Sequence, residues 1–361
     1  MWGWRKKKRK WYPINFNYIE LFAGIGGFRS ALDILGGRCV FASEIDRFAQ
    51  NSYCALYGSV PEICGDITQI DAVDIPAHDI LVAGFPCQAF SIAGYRKGFD
   101  DTRGTLFFEV ARVLQEKQPN AFILENVKGL VGHDSGRTFR RMLDVLESLG
   151  YKVQHTVLNS SIHGGLPHHR ERVFIVGTRR PIQFSILPEP VPLSVSLPEL
   201  LQVDVDEKYY LSAQATERLR RIEERAALRG LGYKSVEVTV RRVNRRLREK
   251  RPQLFLNLDA NFFKGPDGKR TMIRVVEADG RSRLRMPTPL ECWRLQGFTD
   301  EQFKKARAAG ISDSQLYKQA GNAVTVNVIS AISRRLIPVL LAESVRGNGQ
   351  ASDIRRVEAV V

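Results

Sequence analysis

Short apolar runs alternate with longer amphipathic stretches over the first half of the chain. Runs at 18–22, 39–43, near Ile63, at 80–83 and at 121–124 are bounded by Gly, Pro, Asp or Asn and have the length of buried strands. Between them the apolar positions space out at helical period, predicting helices near 28–35, from beyond Glu44 through Tyr57, and over 106–118. Two more strands are predicted near 153–158 and 172–177. This βαβα order predicts an α/β fold with a doubly wound, Rossmann-like sheet, in which ligands sit at the carboxyl ends of the strands.

Around Pro181 the pattern breaks. Pro181, Pro188, Pro190, Pro192 and Pro198 interrupt regular structure, as a boundary between domains does. The region that follows, to about residue 285, is Arg-rich and poorly periodic, with Asp267-Gly268 and Asp279-Gly280 as hairpin turns. A final block at 287–341 reads as helical. No internal repeat is visible.

Charge changes the picture most. A formal net charge of +15 over 361 residues points to a polyanionic partner, nucleic acid ahead of an anionic membrane surface. Part of the excess is the run from Arg5 to Lys10, readable as a nuclear-import address, a phosphate-binding arm or a solvated tail. The rest is spread over Arg218–Arg229 and Arg241–Arg251. No apolar run of about 20 residues predicts a membrane span. Cysteines at 39, 54, 64, 87 and 292 lack metal-ligand pairing and disulfide density, so reduced thiols and no metal are expected.

The chemistry sits at predicted strand ends. Cys87 follows the 80–83 run on the turn Gly84-Phe85-Pro86 and is a candidate nucleophile, although a lone cysteine is more often a small buried hydrophobe. Gly24-Ile25-Gly26-Gly27 after the first strand resembles a nucleotide loop but lacks the full dinucleotide spacing, since Arg29 stands three after Gly26. Glu44, about twenty residues on, suits ribose hydroxyls, and Asp66 an adenine amino group. Glu125, at the end of the fifth strand, is an acid, base or hydrogen-bonding anchor, or else an ordinary turn carboxylate.

Taken together, ELFAGIGGF (20–28), SEID (43–46), GDI (65–67), GFPCQAFS (84–91), ENV (125–127), RER (170–172) and QAGNAV (319–324) resemble the ordered motifs of DNA cytosine C5-methyltransferases of the bacterial and phage restriction–modification kind. The resemblance implies S-adenosyl-L-methionine as cofactor, held by Phe22, Ala23, Gly24, Gly26, Gly27, Glu44, Ile45, Asp66, Ile67, Pro86, Leu106, Asn322 and Val324. It implies Cys87 as the nucleophile that adds to cytosine carbon 6 of a flipped-out base. Glu125 would hold ring nitrogen 3 and the exocyclic amine, and Arg170 and Arg172 would grip the cytosine carbonyl and the phosphate backbone while supporting the pocket. Where the family usually has glutamine two positions before the first of these arginines, this chain has His168. The segment 94–104 resembles a mobile catalytic loop bringing Arg96, Lys97 and Arg103 to phosphates.

The same resemblance divides the chain into a basic tail (1–15), a catalytic domain (16–180), a smaller DNA target-recognition domain (181–285), a return segment completing the first domain (286–345) and a tail (346–361). Cys292 is expected as a core thiol, and the segment 257–265 is assigned to the DNA surface. Double-stranded DNA is the expected partner of a monomer, with a cognate restriction endonuclease as a functional rather than a necessarily physical companion. The expected compartment is the cytoplasm at the nucleoid, or the nucleus if the basic run is an import signal. Three other readings stay open on sequence alone: a transfer-RNA cytosine-5 methyltransferase, a non-catalytic DNA-binding relative, and a dinucleotide-dependent oxidoreductase.

Overall fold

Side-chain alternation within the apolar runs decides the architecture. Along the first strand Phe16 and Tyr18 belong to one buried cluster and Ile19 and Leu21 to another. Further along, Ile123 and Phe174 face the first cluster, and Phe122, Leu124, Val173 and Ile175 the second. Strands apolar on both faces need cover on both, and helices supply it.

The computed structural model describes residues 15–86, 106–180, 185, 188–228, 237–243, 246–249, 252–256, 258–264 and 270–347. In the first part lie strands β1 (Phe16–Leu21), β2 (Gly37–Ser43), β3 (Ile63–Cys64), β4 (Ile80–Ala83), β5 (Ala121–Val127), β6 (Lys152–Asn159), β7 (His168–His169) and β8 (Glu171–Thr178). Helices α1 (Gly27–Leu32), α2 (Arg47–Tyr57), α3 (Leu106–Lys117), α4 (Arg137–Ser148) and the single turn α5 (Ser160–His163) connect them. The seven-stranded sheet has the order β3-β2-β1-β4-β5-β8-β6. All pairs from β3 to β5 are parallel, whereas β8 runs antiparallel to both of its neighbours. The reversal at β8 is not visible in the apolar runs, which carry no direction.

The Arg-rich region, poorly periodic as sequence, contains α6 (Leu197–Leu200), α7 (Ala213–Leu228) and strands β9 (Glu237–Val243), β10 (Arg246–Arg248), β11 (Phe255–Leu256), β12 (Met272–Val276) and β13 (Ser282–Arg285). Four of these form a second sheet, β10-β9-β12-β13. Its alternation is real but masked: Val238, Val240, Leu247, Val275 and Leu284 are buried, and arginines occupy many intervening positions. Gly280, with φ of 86°, makes the β12–β13 turn expected at Asp279-Gly280, while Asp267-Gly268 lies outside the described residues.

The return segment is helical as expected: α8 (Pro289–Leu295), α9 (Asp300–Ala308), α10 (Asp313–Asn322) and α11 (Val326–Gly347). The stretch 313–340 is apolar enough for a membrane by composition. However, α10 and α11 are broken at Ala323 to Thr325, and Ile329, Ile332 and Leu336 are wholly buried, with α11 packed on α1. Cys292 is buried, as expected of a core thiol.

The two sheets share a core. β11 pairs in parallel with β7, and Phe262 stacks on Tyr317 of α10 with ring centroids 6.0 Å apart. Where the second sheet hands over to α8, Arg285 makes two hydrogen bonds of 2.8 Å to Glu291, with side chains 1% and 0% exposed. Glu291 also accepts from the backbone N–H groups of Thr288 and Gln202, closing the capping box that starts α8. Removing one partner of such a pair leaves a buried charge uncompensated. Glu291→Gln is therefore expected to lower unfolding stability by about 3 kcal/mol, measured as a shift of the urea midpoint at constant slope.

Candidate active site

The cleft is built from strand ends. β1 runs into Phe22, whose φ of 55° lies in the left-handed region, a conformation a bulky residue keeps only when its surroundings impose it. Gly24, also at φ 55°, donates its N–H to Glu44 Oε2 at 2.8 Å, and Asp46 N donates to Glu44 Oε1 at 2.8 Å. Two backbone donors thus hold the Glu44 carboxylate in place at the end of β2. Beyond β3, Asp66 Oδ1 accepts from Thr68 N at 3.0 Å and caps the turn Ile67–Gln69. Buried Ile67 and largely exposed Ile45 give this end of the cleft apolar walls.

The other end lies beyond β4 and β5. Gly84-Phe85-Pro86 is fastened to β5 by Asn126, whose Nδ2 donates to Phe85 O at 2.8 Å with both residues buried. Cys87 lies outside the described residues, as do Arg96, Lys97 and Arg103. Pro86, the last described residue of this turn, lines the cleft. Glu125 is buried, with Oε1 3.2 Å from Arg172 Nε. Burial holds its carboxyl above the usual range, while Arg172 and then Arg170 pull it down.

Arg170 is engaged by backbone carbonyls of the pocket. It is buried, with Nη1 donating to Leu258 O at 3.2 Å and Nη2 donating to Gly321 O and Ala323 O at 3.0 Å each. Of the arginine pair, it is Arg172 that is bound to the carboxylate of Glu125. His168 is buried on β7, with Nδ1 3.1 Å from Leu295 O and its ring edge-on to Phe255. A carbonyl only accepts, so Nδ1 carries the proton. Burial, with Arg170 next, pushes its pKa down to about 3.

One cleft of about 650 Å³ joins the two ends. Phe22, Gly24, Glu44, Ile45, Asp66, Ile67, Pro86, Leu106, Glu125, Arg170, Arg172 and Asn322 all line it. Ala23, Gly26, Gly27 and Val324 stand behind its wall. Ala23 is bonded through its N–H to Ser43 O at 3.0 Å. A Cβ on Gly26 would overlap the Tyr57 ring, and one on Gly27 would lie 2.6 Å from Val324 Cγ2. Packing alone therefore requires glycine at both positions.

Three wall residues have no role in the sequence reading. Asn126 ties the turn that precedes Cys87, Lys318 pairs with Asp46 at 2.5 Å, and Gln319 reaches Ser52 Oγ and Phe48 O at 3.0 Å each. Asn126 and Gln319 sit inside quoted motifs, and that was the available signal. Among the described residues no group of His, Cys, Asp or Glu is arranged to hold a metal.

The profile of C-5 cytosine-specific DNA methylases matches residues 16–338. Type II methyltransferase M.NlaX of Neisseria lactamica is 42% identical over 338 residues, covering 92% of this chain and 99% of that protein. Type II methyltransferase M.HpaII of Haemophilus parainfluenzae is 40% identical over 343 residues, covering 90% of each. Among solved structures, the Entamoeba histolytica methyltransferase EhMeth aligns with a TM-score of 0.68 at 18% identity, over 92% of this chain and 99% of that one, a likeness of fold.

His168 gives a pH test. Between about pH 6.5 and 3 the unfolded chain holds a proton on this ring and the native chain does not, so stability falls as pH falls through that window. Replacing it with glutamine removes this contribution. From pH 7.5 to 5.5, His168→Gln is expected to lose about 1 kcal/mol less unfolding stability than the wild type; identical losses in urea titrations would contradict the assignment.

Proposed function

The chain belongs to the C-5 cytosine-specific DNA methylases and transfers a methyl group from S-adenosyl-L-methionine to carbon 5 of cytosine in DNA; from that premise we propose how its residues divide the work. The observation that carries the proposal is one continuous cleft, with the backbone-held Glu44 at one end and the Glu125–Arg172 pair at the other. The residues fit the cofactor. Glu44 presents a pre-oriented acceptor for ribose hydroxyls, Ile45 and Ile67 form apolar walls for adenine, and Phe22, Gly24 and Pro86 border the passage towards Glu125. S-adenosyl-L-methionine supplies an electrophilic methyl group there.

The chain's residues make cytosine nucleophilic. The target base leaves the duplex and enters beside Glu125. The Cys87 thiolate adds to carbon 6, which turns the ring into an enamine reactive at carbon 5. Glu125, kept above the ordinary carboxylate range by burial, hydrogen-bonds the exocyclic amine and delivers a proton to ring nitrogen 3 as sulfur adds. Arg172 orients Glu125 and faces the base. After methylation the carbon 5 proton leaves to a base, water being available, and Cys87 departs.

Residues 181–285 read the target sequence, while 16–180 and 286–345 form the catalytic unit. The segment 94–104, with Arg96, Lys97 and Arg103, closes on the phosphates. The protein works as a monomer on double-stranded DNA in the cytoplasm, beside a cognate endonuclease. Nuclear import through residues 5–10 is withdrawn, because the relatives named above are bacterial.

Bisulfite sequencing of DNA from cells expressing the wild type is expected to show methylcytosine at one short motif. Cys87→Ser is expected to abolish that methylation, by at least about 10³-fold, while retaining duplex binding. Activity retained in that variant contradicts the covalent route, and label entering transfer RNA but not duplex DNA contradicts the substrate.

A further inference from the structure

We propose that Phe263 enters the duplex where the target cytosine leaves it, stacking on a neighbouring base while Lys264 meets an adjacent phosphate. The inference rests on the DNA-methylation reading and adds the residue that holds the opened duplex. The turn Phe262–Lys264 carries two adjacent phenylalanines with opposite fates. Phe262 is wholly buried, 6.0 Å from the ring centroids of both Phe255 and Tyr317, with the Arg270 guanidinium 5.8 Å above it. Phe263 is 41% exposed, with Lys264 Nζ 5.8 Å from its ring centroid.

The segment before this turn is fixed to the cleft. Leu258 O accepts from Arg170, and the backbone of Asp259 and Ala260 lies so close to Gly321, a cleft residue, that no Cβ fits between them. Asn261 N is held by Asp259 Oδ1 at 2.8 Å. Three residues of chain reach at most about 11 Å, so Phe263 lies within that reach of Ala260, which abuts the cleft residue Gly321. Among the described residues of the recognition region it is the one exposed phenylalanine. Its partner's chemistry follows: a flat apolar ring beside an ammonium suits a nucleobase face beside a phosphate.

Extruding a base costs stacking and pairing, and an apolar side chain inserted at the gap offsets part of that cost. A ring on an anchored turn loses little freedom when it docks. The contribution is largest where the target is well paired.

The test uses the full chain, saturating S-adenosyl-L-methionine and a duplex carrying the site mapped by bisulfite sequencing, with the target cytosine opposite guanine or mismatched with adenine. Phe263→Ala is expected to slow single-turnover methylation of the paired duplex about 10- to 100-fold. On the mismatched duplex, where opening is cheap, the loss shrinks to about threefold. Phe263→Trp stays within about threefold of wild type on both. Lys264→Ala lowers the salt slope of DNA binding by about 0.9. Equal losses on both duplexes mean a structural role only and overturn the proposal, as does no loss on either or an unchanged salt slope for Lys264→Ala. Failure of the wild type on every duplex overturns instead the methylation reading beneath it.

Discussion

A buried guanidinium fastens three lengths of chain at the floor of the site. Arg170 donates to Leu258 from the Arg-rich region and to Gly321 and Ala323 from the C-terminal helical block, and it is itself carried on the turn into β8. A charge out of water costs several kcal/mol unless bonded, and buried carbonyls need donors. The arginine and the three carbonyls answer each other's requirement. Because the carbonyls belong to two segments and the arginine to a third, the β11–Phe262 segment, the end of α10 and the first sheet are held in one relation. That relation sets the part of the cleft wall formed by Arg170, Gly321 and Ala323.

Charge in the cleft is arranged around this anchor. Glu125 is buried beside Arg172 and within the field of Arg170, so burial and two cations act on its proton in opposite directions. A carboxyl raised by burial yet oriented by a cation suits a group that hydrogen-bonds a ring and shares a proton with it. Asn126, the next residue, ties β5 to the turn before Cys87. A single strand end therefore carries Glu125 directly and holds the Gly84–Pro86 turn through one side-chain amide. At the opposite end Glu44 is held by two backbone donors, and the nearby Lys318 is engaged by Asp46.

The sequence was most legible where short strands are buried on both faces. Apolar runs of strand length located β1, β2, β4 and β5 to within a few residues, and the polar residues ending them fell into one cleft, as doubly wound sheets require. The antiparallel insertion of β8 was hidden, because strand order depends on long-range pairing and leaves no trace in a run of Val, Phe and Ile. The second sheet was hidden for another reason: arginines interrupt its alternation at solvent-facing positions. Gly26 and Gly27 were read as ligand-facing from the loop pattern. A further constraint comes from Tyr57 and Val324, which lie 31 and 297 positions away in sequence from the respective glycines. Likewise, the role of Arg170 depends on carbonyls 88 to 153 positions away, which no local motif specifies.

The central claim is that sulfur of residue 87 bonds to an extruded cytosine beside Glu125. The direct measurement is incubation of the protein with S-adenosyl-L-methionine and a duplex bearing 5-fluorocytosine at the target position, followed by denaturing electrophoresis and mass spectrometry. Fluorine cannot leave as a cation, so the adduct is trapped after methyl transfer. A denaturant-resistant complex with DNA attached at Cys87 is the predicted result; its absence under conditions where the unsubstituted duplex is methylated would contradict the account.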